Sequence, residues 1–505
     1  MSHSALEYRR AESDAAQSEI FDVVIIGAGV TGACLFHQLR QKGYRVLLAD
    51  KADFAGGTSQ ASAMMLWGGL AYLRSFDLAT VARLSFSREA LVRGANSCAS
   101  PRRFRYIVPS PRAGNRAIVQ SALYLYWLLG AFRRARPRWL NDFDESRLLK
   151  TANRNCFEYE EAYVSDSDAR FVLQWILRSR DSENPALNYC TVHGGHFDSS
   201  AKLWILDLED RVLGRHLSIR ARLVVNAAGV WTDSLNRQFS IETPYRHLLS
   251  KGVFLGLRRD PDHNTALIVQ KADQDCYALI PWGPVSLWGP TETFTSSPED
   301  GFSITAGDVR SLVQDYDQHF CRPFRPEDVV SLRCGVRGLA VPRSTQQDLS
   351  HSQSLSRKYV IHRDRELPWV SIHGGKLTSC ASTAEAAAKT IGHSIRPSLA
   401  PRSSGDSVEA SVEKEKFPGL AEEVPSARSC ADESCWSLQD YLRRRTNISQ
   451  WIPRGGLGRL NENVAHLERL SSDFASTASF NSQAAVRAYQ QEIETRFDRV
   501  LREAL

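Results

Sequence analysis

The sequence predicts an α/β protein made of a parallel-sheet domain, a β-sheet domain interleaved with it, and a C-terminal all-helical domain. Three observations predict this. Near the N-terminus a β-branched run ends in spaced glycines that open a helical pattern. Apolar periodicity then alternates between strand-like and helix-like as far as residue 391. Past a Pro-, Ser- and Glu-rich stretch, only helical periodicity remains.

Composition sets the outer limits. At roughly 100–200 residues per domain, a chain of 505 residues holds two to four domains. Hydrophobic residues are 43% and charged residues 24%, which excludes a wholly disordered or collagenous chain and allows a sizeable core. Lys and Arg number 63 against 57 Asp and Glu, a net +6. That excess gives mild attraction for anionic substrates or lipid headgroups and is no footprint of nucleic-acid binding. The ten cysteines contain no C-x-x-C pair and no adjacent histidine cluster, so neither a metal site nor a disulfide scaffold is expected. They read as small buried hydrophobes in a reducing, cytoplasmic setting.

The elements follow in order. Residues 1–20 are polar, lack the apolar core of a secretory signal, and are expected to be disordered. Residues 23–26 form an apolar strand, 30–42 a helix and 44–49 a second strand ending at Asp50, which is a β-α-β unit. Residues 117–132 (AIVQSALYLYWLLGAF) precede the basic run RRARPR. They read as a buried or amphipathic helix, or as an interfacial helix that touches a membrane without crossing it. No stretch reaches the roughly 20 apolar residues that span a bilayer. Residues 203–208 and 223–226 read as strands, 253–257, 266–269 and 276–280 as a more antiparallel set, and 308–320 as a helix. Strand 370–372 leads through two glycines into a helix over 379–391. The domain assignment is therefore 21–392 for the nucleotide domain with its interleaved β-sheet domain, 393–434 for a linker, and 435–505 for a domain with helices at 436–445, 460–470 and 484–504.

The first β-α-β unit carries Gly27-x-Gly29-x-x-Gly32 directly between strand and helix. The first glycine permits the tight turn, the second lets backbone approach a pyrophosphate, and the third lets helix and strand pack closely. The helix N-terminus offers free N–H groups to the phosphates, and Asp50 is placed to accept from ribose hydroxyls. This is a Rossmann-type dinucleotide site. Three further segments favour FAD over NAD. Gly56-Gly57-Thr58-Ser59 supplies small hydroxyl-bearing groups, a strand runs into Ala227-Ala228-Gly229, and His373-Gly374-Gly375-Lys376-Leu377 is a second glycine turn that can aim N–H groups at a flavin carbonyl.

Together these segments resemble the FAD-dependent glycerol-3-phosphate dehydrogenases and oxidases within the D-amino-acid-oxidase-like flavoproteins. The matching blocks are IIGAGVTG, GGTSQAS with LWGGLAYL, VSDSDAR, LVVNAAGVWTD, LLSKG, LIPWG, WGPTET, CGVRGL and HGGKLTS. The resemblance implies a Rossmann-type FAD-binding domain, a β-sheet substrate domain and a helical cap. It implies that Gly27, Gly29, Gly32, Asp50, Thr58, Ser59, Gly229, Gly375, Lys376 and Leu377 hold FAD non-covalently. It implies an active-site arginine at Arg337, a lysine beside the flavin at Lys376, and substrate contacts at Tyr72 and Arg357. A homodimer follows from the same resemblance; electrons are expected to pass to quinone or oxygen, and the interfacial alternative for residues 117–132 would bring contact with a membrane on its cytoplasmic face.

The chain also departs from the family pattern. Met64 stands where the family has a lysine, Trp67 where it has a histidine, Ala71 where it has an arginine, and Phe254 where it has another histidine. Trp67 and Phe254 then line a larger, less polar pocket, or they are core packing. The remaining candidates are Arg337 to hold an anion, Lys376 to remove a proton, and His373 as a further acid-base group or a structural histidine. The favoured reading is an FAD enzyme that moves a hydride from a C–H next to a hydroxyl or amine, on a diverged small anionic substrate. The alternatives are true glycerol-3-phosphate oxidation and a non-catalytic flavoprotein that serves as an interaction module.

Overall fold

A buried parallel strand, Ile20–Ile26, organises the first sheet. Every position after Ile20 is buried, because Val23 and Ile25 pack in the helix-covered main core and Val24 and Ile26 pack with Trp204, Leu206, Leu208, Leu235 and Phe239 on the other face, and this accounts for the unbroken apolar run of Val23 to Ile26. In the computed structural model, which describes residues 5–94, 99–108, 113–150, 156–270, 276–345, 358–402, 433–478 and 482–505, this strand is flanked by Val46–Ala49 and Arg215–Asn226. Both neighbours are parallel to it. Trp369–His373 adds on beyond Arg215–Asn226, again parallel. One edge is the antiparallel strand Val360–Arg363 and the other the short parallel strand Ala186–Leu187 beside Val46–Ala49, while the antiparallel hairpin Cys190–Asp198 and Leu203–Asp210 extends from Arg215–Asn226.

The parallel pairing decides where chemistry can happen. Four strands end on one rim, and the segments that leave them are Gly27 onward, Asp50 onward, Ala227 onward and Gly374 onward. Ligands in open α/β sheets bind at this carboxyl edge. Helices Val30–Gln41, Asp168–Leu177 and Cys380–Gly392 cover one face and supply much of the main core.

The second sheet has ten strands. Its spine is the long antiparallel pair Tyr245–Arg258 and Val329–Pro342, which places Ser250 opposite Arg337 and Phe254 opposite Arg333. Ala266–Gln270, Cys276–Trp282 and Val285–Gly289 continue it, followed by Ala99–Ile107 and Cys156–Val164. The second sheet thus draws on chain both before and after residue 215 and is interleaved with the first sheet.

Three expectations need correction. Residues 1–20 are not a disordered segment, since Ala5–Ser18 is a helix. Its polar residues mislead because they are buried in pairs: Arg9 Nε and Ser13 Oγ donate to Asp210 Oδ2 at 2.9 and 2.8 Å, and Arg9 Nη2 donates to the Asn188 carbonyl at 2.7 Å. The linker does not begin at 393. The Leu399 and Arg402 amides donate to the Gly43 and Gln41 carbonyls, tying this stretch to the end of helix Val30–Gln41. Residues 403–432 lie outside the described residues. The helix expected over 436–445 is a short turn, Leu438–Asp440, that widens into a π-helix, Tyr441–Arg445. Further C-terminal helices include Ile448–Trp451, Val464–Ala478, Ser482–Ile493 and Arg499–Ala504, the last two joined by a π-helical stretch, Glu494–Asp498.

The π-helix docks this domain. Arg445 grips Asp53 with Nη1 and Nη2 at 2.8 and 2.9 Å. Arg444 binds Asp53 through Nε and Asp440 through Nη2. Burial opposes ionisation of Asp53, yet the two guanidiniums bring its carboxyl down to about 2. Asp53→Asn leaves two buried guanidiniums short of their counter-charge and is expected to destabilise the fold by about 3–5 kcal/mol. Arg499→Gln, in the exposed pair with Glu503, is expected to cost less than about 1 kcal/mol. Urea unfolding followed by tryptophan fluorescence compares the two.

Candidate active site

The glycine turn after the first strand is set by close contact. Gly27 has φ +109°, and a Cβ there would lie 2.5 Å from the Ala227 carbonyl oxygen. A Cβ on Gly32 would lie 1.8 Å from the Gly27 carbonyl oxygen, so only glycine lets the helix enter at this angle. The Val30 amide at the helix start donates to Ser59 Oγ at 2.9 Å, and a Cβ on Gly29 would meet the same hydroxyl. Ser59 therefore sits at the mouth of the turn. Thr58 instead donates its hydroxyl to the Val336 carbonyl, which stitches this loop to the strand that carries Arg337.

Asp50 accepts from the Ala28 amide through Oδ2 at 2.6 Å and from the Ala52 amide through Oδ1 at 2.9 Å. Burial pushes its carboxyl up to about 6, against the pull of those two amides. Each oxygen keeps a second lone pair, so the carboxylate still has capacity for ribose hydroxyls. Gly229 has φ +59°, and nothing lies within 4 Å of where its Cβ would be. A close glycine turn, a carboxylate with spare acceptors and an open glycine at a neighbouring strand end fit FAD.

The second glycine turn faces the first. Gly374 and Gly375 have φ +69° and +112°, and a Cβ on Gly375 would lie 3.7 Å from Thr31 Oγ1. Leu377 opens the 3-10 turn Leu377–Ser379 and packs on the main core. Lys376 projects its Nζ 4.4 Å from the centroid of the Tyr72 ring, so the predicted lysine and tyrosine do meet. Arg337 Nη1 binds Glu292 Oε1 at 3.1 Å, and Ser250 Oγ shares that carboxylate at 3.0 Å. A Cβ on Gly252 would lie 2.6 Å from Arg337 Nη2, so the glycine makes room for the guanidinium.

Two candidates are corrected. His373 is fully buried beneath the glycine turn, with Nε2 3.3 Å from Asp233 Oδ1 and its ring 5.1 Å from that of His247. Its enclosure between Asp233 and His247 fits the structural alternative. Phe254 shares a sheet face with Arg337 by register, but it lies inside the main core against Gly289, as packing. Trp67 is half-buried, its indole N–H beside the Tyr159 hydroxyl. The turn that carries it rests on buried charge. The Gly68 amide donates to Glu161, and a Cβ on Gly68 would strike Arg134 and the Tyr126 hydroxyl. Arg357 lies outside the described residues.

Sequence reasoning missed Asp233 and His247. Asp233 lay inside the quoted block LVVNAAGVWTD, and His247 directly precedes LLSKG. His247 Nε2 accepts from the Gly374 amide at 2.9 Å. Burial pushes the imidazole down to about 4, against the pull of the Asp233 charge, so it stays neutral and keeps its acceptor. Burial also opposes ionisation of Asp233, but hydrogen bonds from His373 and from the His247 amide bring it down to about 2. Among the described residues, no group of three or more His, Cys, Asp or Glu side chains is placed to hold a metal ion.

This histidine generates a prediction. Its folded value of about 4 lies below the unfolded value of about 6.5, so the unfolded chain binds more protons between the two. The stability it confers is complete above about pH 6.5 and declines as pH falls towards 4. His247→Leu, which leaves the Gly374 amide unsatisfied, is expected to cost about 1–3 kcal/mol. It should also flatten the stability profile across this window and release flavin at lower temperature, both read by melts that follow flavin fluorescence.

Comparison with known proteins agrees with this geometry. The model of the FAD-dependent oxidoreductase family matches residues 22–389. The aerobic glycerol-3-phosphate dehydrogenase of Escherichia coli K12 is 29% identical over 382 residues, covering 74% of each chain. The D-erythritol 1-phosphate dehydrogenase of Brucella abortus is 26% identical over 386 residues, covering 75% of each. The solved glycerol-3-phosphate dehydrogenase from Bacillus halodurans complexed with FAD superposes with a TM-score of 0.69 at 18% identity, over 99% of this chain and 98% of that one. The matched region takes in all four strand ends and both glycine turns, and the chain belongs to the FAD-dependent oxidoreductase family.

Proposed function

We propose that this flavoenzyme oxidises a C–H bond next to a hydroxyl (or amine) on a small anionic molecule that has diverged from glycerol 3-phosphate. The observation that carries the reading is Lys376 held over the Tyr72 ring at the mouth of the second glycine turn. Bound FAD supplies the hydride acceptor. The chain's own residues handle charge and protons. Arg337 orients the anionic group of the substrate. Lys376 Nζ takes up the hydroxyl proton as the C–H leaves as hydride, and the Tyr72 face favours the ammonium that results. His247 and Asp233 hold the turn that presents Lys376.

Two features favour a substrate with less negative charge than a phosphate dianion. Ala71 replaces the arginine that the family pattern places in the phosphate region. Glu292 already shares the guanidinium of Arg337, which lowers the positive charge left for a substrate. An apolar body suits the half-buried Trp67 at this turn.

We further propose that the enzyme works against an anionic membrane surface and delivers electrons to quinone there, with oxygen as the other acceptor. Helix Ala113–Leu129 and the segment after it leave Ile118, Leu128 and Phe132 more than half exposed, at 69%, 53% and 55%. Arg133 follows at once, its guanidinium over the exposed Phe86 ring, and Arg136 and Arg138 lie further on. Among the described residues no helix is long and apolar enough to cross a membrane, so the contact would be peripheral.

Two experiments test these readings. In anaerobic titration, glycerol 3-phosphate is expected to bleach the flavin band slowly, and less highly charged hydroxy-acid anions faster. Ala71→Arg is expected to restore a charge-assisted hydrogen bond of about 1.5–3 kcal/mol, raising the rate with glycerol 3-phosphate by about ten- to a hundredfold. Rapid bleaching of the wild type by glycerol 3-phosphate, with no gain in the variant, would show that the ancestral substrate is kept. Flavin that only dithionite reduces would sink the enzymatic reading. In sedimentation with vesicles containing phosphatidylserine, the wild type is expected to pellet and a variant with Ile118→Ser and Phe132→Ser to stay in solution. Equal pelleting would rule this face out.

A further inference from the structure

A second cavity borders the flavin loop at Gly56, Gln60 and Ala61 but is not lined by Lys376, Tyr72 or Arg337. It has a volume of about 700 Å³ and opens to solvent between strand Val329–Pro342, the π-helix Tyr441–Arg445 and the C-terminal helices. That size is in the range of small-molecule sites. Its ionisable lining is one-sided, with five arginines against two glutamates among the described residues. Glu492 pairs with Arg496 at 3.0 Å and Glu503 with Arg499 at 2.9 Å, so both carboxylates are already neutralised. Arg444 is committed to Asp53 and Asp440, and Arg333 Nη2 to Asp168 at 2.7 Å.

Arg443 is left over. It sits between Leu442 and Arg444 on the π-helix, and its Nη1 is enclosed with no hydrogen-bond partner. Burial pushes the guanidinium down to about 9, which is the mark of a cation held without sufficient counter-charge. Other buried polar atoms on residues of the same wall are also unsatisfied: Arg333 Nε and Nη1, Ser449 Oγ and Gln450 Oε1. Arg333, Ser449 and Gln450 are all more than nine-tenths buried. Buried polar groups without partners are costly, and several on one cavity wall point to a ligand that satisfies them together.

We propose that this cavity is a binding site for a small oxyanion-bearing molecule, a phosphate or a carboxylate, held by Arg443 with Arg333 and Ser449. Gln450 Oε1 accepts from a hydroxyl of the ligand body, or from the acid itself when it is protonated. Ligation here bridges the helical domain to the flavin loop, because Arg333 Nη2 also donates to the carbonyls of Gln60 and Ser62 at 3.1 and 3.0 Å. The site does not depend on the proposed substrate, since none of Lys376, Tyr72 and Arg337 lines it.

The test uses the FAD-loaded full chain, titrated with inorganic phosphate and with succinate against sodium chloride of equal ionic strength. Melting temperature and isothermal titration calorimetry are read in parallel. At least one of the two anions is expected to raise the melting temperature saturably, and the stronger response tells phosphate chemistry from carboxylate chemistry. Arg443→Met is expected to weaken that binding at least tenfold. It should melt no lower than the wild type in anion-free buffer, because it removes a half-buried cation whose enclosed Nη1 has no hydrogen-bond partner. Arg337→Met is expected to leave the binding unchanged, which separates this cavity from the catalytic pocket. A wild type that responds to neither anion beyond the chloride control overturns the proposal. So does a response that is equal in wild type and Arg443→Met, or one abolished by Arg337→Met. If Arg443→Met does not fold, Arg443→Gln takes its place under the same criteria.

Discussion

One carboxylate holds the parts of this molecule in register. Asp53 stands just after the second parallel strand, almost wholly buried, and receives a bidentate grip from Arg445, a further bond from Arg444 and the side-chain amide of Asn188. Asn188 in turn accepts from Arg9 through its carbonyl. The N-terminal helix, the flavin loop and the C-terminal domain thus share one charged node. Buried ions are expensive to desolvate and persist only where each has its full set of partners. The flavin loop begins a few residues beyond Asp53, and Thr58 then ties it to Val336, the neighbour of Arg337. Placement of the loop at the mouth of the first glycine turn and of Arg337 therefore depends on a domain outside the parallel sheet.

What could be read from the sequence were the features fixed by neighbours in the chain. The turn at Gly27, the helix behind it and the two-glycine turn at Gly374 each follow from steric needs within a few residues, and each stands where expected. The strand pattern of the first sheet was legible because burial on both faces leaves a continuous apolar run. The hidden features depend on partners far away. Arg9 meets Asp210 across 201 positions, and His247 meets Gly374 across 127. No local pattern marks such pairs, so a polar N-terminus resembled a disordered one. Phe254 shows a subtler limit. Register puts it on the face of Arg337, but its depth along the strand puts it in the core, and periodicity reads the face without the depth.

The active-site rim shows how departures from a family pattern act together. Where the family pattern has charged and acid-base groups, this chain has Met64, Trp67, Ala71 and Phe254. The remaining cation, Arg337, is shared with Glu292. Beneath the turn that bears Trp67, the charge is kept but turned inward, with Arg134 and Arg88 facing Glu89 and Glu161 out of contact with solvent. The turn is anchored electrostatically from below and is less polar above. That arrangement holds the turn where Tyr72 meets Lys376.

The four strand ends that form the flavin cradle come from strands starting at residues 20, 46, 215 and 369. Parallel pairing across such separations closes long loops before any contact repays them, so it belongs to the slow events of folding. During synthesis the first three strands emerge well before Trp369–His373. Until then the edge of Arg215–Asn226 that Trp369–His373 will cover is unpaired, a state prone to wrong association. Cofactor capture can only come late, once that strand has slotted in and brought Gly374 and Gly375 up to Thr31. A flavin-loaded molecule is therefore one whose most distant parts have already met, and bound colour serves as a stamp of completed assembly on each newly made chain.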